Sequence, residues 1–108
     1  MKDVTKLQEY ELLELSVRAY GYNKYEGHAA QMIQSGWNPL LDDGDALRLA
    51  VKLHLTVGYD VEDGMKISWV RESGVFTFEF WADNLDNPSA ATRRAIVRAA
   101  AAVGRDIK

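Results

Sequence analysis

Val75-Phe76-Thr77-Phe78-Glu79-Phe80-Trp81 alternates with a period of two: rings at 76, 78 and 80, polar groups at 77 and 79. That is the pattern of a β-strand, whose successive side chains leave opposite faces. Two upstream stretches repeat it. Met65, Ile67 and Trp69 oppose Lys66, Ser68 and Val70, and Leu55, Val57 and Tyr59 oppose Thr56, Gly58 and Asp60. Between them lie Glu62-Asp63-Gly64 and Glu72-Ser73-Gly74, short turns with glycine where a positive φ is expected. The pattern predicts an antiparallel three-stranded meander. Its second face carries Lys66, Ser68, Thr77 and Glu79. A polar face usually meets solvent. Either that face is only partly covered, or a helix packs over its aliphatic and threonine portions.

Helical signals flank the meander. Lys6–Tyr20 places Tyr10, Leu13, Val17 and Tyr20 at spacings of three and four, with Gly21 as its stop. In 22–35 the tyrosines Tyr22 and Tyr25 and the run Ala29–Ile33 suggest two short strands around Glu26-Gly27. Gly36-Trp37-Asn38-Pro39 is a stiff loop, since proline fixes its own φ and extends the residue before it. Asp42 is an N-cap with Asp45 at the capping-box position, and the helix they open runs to about His54. Only Arg48 and Lys52 interrupt its apolar surface, which predicts a central helix with Leu47, Leu49, Val51 and Leu53 in the core. A last helix starts at Asn87-Pro88 and ends at Gly104, burying Ile96, Ala99, Ala100 and Val103. The expected fold is α+β, as one domain spanning 1–108. The meander, extended by the N-terminal hairpin, packs with three helices in the order α-(ββ)-α-β-β-β-α.

Three segments together resemble a known family. They are Trp37-Asn38-Pro39-Leu40, Asp42-Asp43-Gly44-Asp45-Ala46-Leu47-Arg48-Leu49-Ala50-Val51-Lys52-Leu53, and Ala91-Thr92-Arg93-Arg94-Ala95-Ile96-Val97-Arg98-Ala99-Ala100-Ala101. The chain from Gly36 onward is similar to the phage α/β/α-sandwich family, small proteins encoded by tailed phages and prophages. The resemblance implies a sandwich-like architecture, a phage or prophage source and hence a bacterial cytoplasmic location. It carries over no activity, cofactor or catalytic residue.

Composition narrows the functional classes. The 108 residues include no cysteine, which excludes disulfides, thiolate metal sites and cysteine nucleophiles. The net charge of −3 gives no reason to expect a nucleic-acid partner. No apolar run is long enough to span a membrane. Asp42, Asp43 and Asp45 lack EF-hand spacing, and helix capping accounts for them. His28 and His54 have no metal-ligand spacing around them, so no metal is expected. No phosphate loop, nucleophile elbow or singled-out carboxylate pair is present, so neither catalytic residues nor a cofactor are expected. Arg94, Arg98 and Arg105 form a band on the last helix, opposite Ile96, Ala100 and Val103. They are expected to be solvated, with anion binding as the alternative. Arg93 lies nearer the core edge, where pairing with a carboxylate is expected. Trp81 has the opposite parity to Phe76, Phe78 and Phe80, which marks it as a partly exposed aromatic. The expected function is binding, to a protein partner or to a second copy of the chain. The alternative is a small-ligand or nucleotide-binding domain, with the arginine band or Trp81 as contacts.

Overall fold

The computed structural model describes residues 9–21 and 27–105. Its elements run α1 (Glu9–Tyr20), α2 (His28–Gln34), α3 (Asp43–Lys52), β1 (Thr56–Glu62), β2 (Met65–Glu72), β3 (Val75–Phe80), a 3₁₀ turn (Ala82–Asn84) and α4 (Pro88–Arg105). The expected α+β meander is present, as one antiparallel sheet in the order β1-β2-β3. Asp63 and Gly64, at φ 51° and 79°, make the tight turn between β1 and β2.

The expected hairpin is corrected. Ala29–Ile33 lies inside α2, and Tyr22–Glu26 fall outside the described residues. Ala29, Ala30, Gln31 and Met32 are good helix formers, and Gly27, at φ 84°, turns the chain into the helix. The Gln31 N–H closes the first turn on the Gly27 carbonyl at 3.0 Å. In α1 the buried side is set by Leu12, Leu13, Ser16 and Val17, whereas Tyr10 is exposed.

The stiff loop is tied down from three directions. Asp42 accepts from the Asp45 N–H at 2.8 Å, the predicted cap. The Asp45 carboxylate does not return to Asp42 as in a capping box. It reaches back to the Asn38 N–H at 2.9 Å and also accepts from Arg48 at 2.6 Å. Arg93, from α4, donates to the Leu40 carbonyl at 2.8 Å and to Asp43 at 2.6 Å. Trp37 packs against Tyr20 with ring centroids 6.3 Å apart.

The central helix is α4, not α3. On α3 only Ala46, Leu49 and Ala50 are buried, while Leu47 and Val51 are 63% and 66% exposed. α4 has Ala91, Ala95, Val97, Ala99, Ala100 and Ala101 fully enclosed. Small side chains let neighbours close in from several sides, and α4 packs on β2, β3, α1 and α3. Gly104 shows how close this is. It lies inside α4 rather than past its end, and a Cβ there would sit 1.9 Å from the Leu15 carbonyl oxygen of α1.

Candidate interaction surface

The sheet packs with its polar face inward. Ser68, Val70, Thr77 and Glu79 are buried beneath α4, and each polar group there has a partner. The Thr77 hydroxyl donates to the Ala95 carbonyl at 2.7 Å. Ser68 and Thr92 hydroxyls lie 2.9 Å apart, and the Trp81 indole N–H donates to Ser68 at 3.0 Å. Glu79 accepts from Arg98, lies 3.8 Å from Arg94 and accepts from the Asn84 amide at 3.1 Å. A buried polar face is stable when each group is satisfied in this way.

This arrangement corrects the arginine expectation. Arg94 and Arg98 are not a solvated band. They fold down over the edge of β3 to neutralise Glu79, and the Arg98 side chain is only 15% exposed. Arg98 also donates to the Phe78 carbonyl at 3.1 Å. Arg105 is half-buried in the last turn of α4 and engaged as well. Trp81 is half-buried, but not for the reason its parity gave: it follows the end of β3 on the covered side of the sheet, with the Lys66 ammonium 5.3 Å from its ring centroid.

The opposite face of the sheet is the open one. Strand register sets it out as a grid. Thr56, Arg71 and Phe76 form the first row; Gly58, Trp69 and Phe78 the second; Asp60, Ile67 and Phe80 the third; Glu62 and Met65 the last. Among the described residues no helix lies across it. Phe76 is 59% exposed, Phe78 43% and Met65 47%. The rings form a continuous carpet. Trp69 and Phe76 stack at 6.5 Å, Phe76 and Phe78 lie 6.2 Å apart, and Phe78 meets Phe80 edge-on at 5.6 Å. Gly58 makes the carpet flat on its β1 side. The Trp69 indole lies over it, where a Cβ would come within 2.1 Å of the ring. The Arg71 guanidinium sits 5.7 Å from the Trp69 ring centroid.

Sequence reasoning looked for the exposed aromatic at Trp81 and missed Phe76 and Phe78. Alternation gives the two faces of a strand but not which one is covered. The available signal was the small residue Gly58 facing Trp69, together with two arginines on the last helix able to meet Glu79.

A second apolar surface lies on the helix side of the sheet, beside the start of α4. It is a groove of about 520 Å³ between α3, β1 and the start of α4. Leu47, Ala50, Val57, Tyr59 and Ile96 line it, with Arg93 and Asp43 at one end. Among the described residues no three His, Asp or Glu gather to hold a metal ion, and no helix is long and apolar enough to cross a membrane. Comparison with family models, curated proteins and solved structures finds no match to this chain.

Proposed function

We propose that this is a small accessory protein of phage or prophage origin that works in the bacterial cytoplasm by binding a protein surface rather than by catalysis. The docking site is the open sheet face. One observation carries this reading: Phe76 and Phe78 stand side by side in solvent on the open face of the sheet, with Met65 exposed at the far end of the same face. Monomeric soluble proteins seldom expose contiguous apolar patches above a few hundred Å², and larger ones mark interaction sites. Aromatic residues and methionine are enriched in interface cores, and arginine at their margins fits Arg71. The phage origin rests on the similarity of the segments Trp37–Leu40, Asp42–Leu53 and Ala91–Ala101.

The test is a comparison of the native chain with Phe78→Asp. Both should fold alike, since residue 78 is exposed. The native chain should retain a protein, whether its own copy or a host component, that Phe78→Asp does not. Equal retention by the two, or none by either, would sink the reading.

The groove beside α3 favours a second reading, an apolar small ligand. Concave, largely apolar pockets with a few polar groups at one end are the usual form of small-molecule sites. A thermal-shift screen tests it, because a ligand at about a hundred times its dissociation constant adds about 2.7 kcal/mol. Nucleotides held by Arg94 and Arg98 are not favoured, since Glu79 already engages both.

A further inference from the structure

We propose that a second copy of this chain covers the open face, the two sheets packing face to face with their strands running in opposite directions. The inference rests on the reading that this face is a docking site, and adds the occupant and its orientation.

Charge complementarity carries it. The open face is polarised along the strands. Among the described residues its one cation, Arg71, is in the first row, and its acids, Asp60 and Glu62, are in the third and fourth. A two-fold axis lying in the interface along the strand direction would set first row on first row, with Arg71 beside the partner's Arg71. A two-fold axis across the strands sets first row on fourth and second on third. Arg71 then stands over the partner's Met65, one strand away from the partner's Glu62, a lateral offset of about 4.8 Å that an arginine side chain spans. Trp69 lands on the partner's Ile67, and Phe78 on the partner's Phe80. The apolar centre is therefore self-complementary and both ends are neutralised, as an isologous interface requires.

One edge donor of β1 is already used within the chain. Val61 is paired across β2 with Lys66, whose carbonyl accepts from Trp81 on the β3 side. The Val61 N–H therefore points away from the sheet, and the Asp60 carboxylate occupies it at 2.8 Å. That donor is not free to pair with a further strand.

The area sets the strength. Four rows by three strands give a footprint of roughly 400 Å² per copy. A standard interface takes about 800 Å² per partner, so the dimer is a weak, reversible one.

Sedimentation equilibrium tests this over about 1 to 300 μM, a range that brackets a weak dimer. The native chain should pass from monomer to dimer. Arg71→Glu and Glu62→Arg, both at exposed positions, should each weaken association at least about tenfold, because each sets like charges together at both ends. An equimolar mixture of the two variants should dimerise again, since every end then joins an acid to a base. Overturning results are a native chain that stays monomeric throughout, single variants that associate as the native chain does, or a mixture that stays monomeric. A monomeric native chain that retains a host protein, with loss in Phe78→Asp, would refute the self-pairing and leave the docking face standing.

Discussion

Gly104→Ala sets two physical effects against each other. Inside a helix, replacing glycine by alanine gains about 1 kcal/mol of propensity. Here the new Cβ would lie 1.9 Å from the Leu15 carbonyl oxygen and 2.8 Å from its carbon. Ordinary contact needs about 3.5 Å, so α1 must retreat by about 1.5 Å. No side-chain rotation relieves this, because the obstacle is backbone. The same helix carries Leu12 and Val17, both essentially without exposure, and a retreat loosens them together. Overpacking costs about 1–3 kcal/mol and more when backbone must move. With the propensity gain subtracted, a net loss of about 2 kcal/mol is expected, or roughly 10 °C in Tm for a chain of this size. Urea unfolding followed by circular dichroism reads it. Gly104→Asn supplies the control. A glycine ending a helix in the left-handed conformation tolerates asparagine better than alanine. A glycine at a helix contact tolerates the larger asparagine worse. Stability unchanged or raised in Gly104→Ala, or asparagine ranking above alanine, would refute the close packing of α1 on α4.

Leu49→Ala should cost about 2–5 kcal/mol because Leu49 is fully buried, whereas Leu47→Ala on the same helix should stay within about 0.5 kcal/mol; equal losses would contradict the orientation of α3. Glu79→Ala leaves Arg94 and Arg98 without their shared carboxylate and should cost about 3 kcal/mol, measured by the urea midpoint, while a neutral result would put both arginines in solvent. Asp42→Ala removes the N-cap of α3 and should cost about 1 kcal/mol without altering self-association.

The three strands and their turns were legible because alternation and glycine placement are local properties. The cap at Asp42 and the pairing of Arg93 were legible for the same reason: each follows from one helix end or one helix edge. Which sheet face is covered was not. Rings at 76, 78 and 80 suggest a core, and only the partners on α4 show otherwise. Thr77 needs the Ala95 carbonyl, Ser68 needs Thr92, and Glu79 needs Arg94 and Arg98. These are contacts between elements far apart in sequence. Burial of the helices was misjudged on side-chain size. Leu47 and Val51 made α3 look central, yet the helix enclosed on most sides is alanine-rich α4, whose slimness admits neighbours. The helix α2 was misread because seven residues are too few to display a period. The arginine expectation failed at the candidate site because helical periodicity places Arg94 and Arg98 on one side but does not show that a buried glutamate waits there.

The central claim is that the aromatic face of the sheet meets solvent while Ser68, Thr77 and Glu79 on its other face are buried beneath α4. All three phenylalanines of the chain, Phe76, Phe78 and Phe80, lie on that face. Fluorine NMR of the chain labelled with 4-fluorophenylalanine therefore reports on it and nothing else. In a dilute sample, a soluble nitroxide should broaden the Phe76 and Phe78 resonances strongly and the half-buried Phe80 resonance less. Three sharp resonances, unmoved by the nitroxide in the dilute monomer, would place the rings in a core and contradict the account.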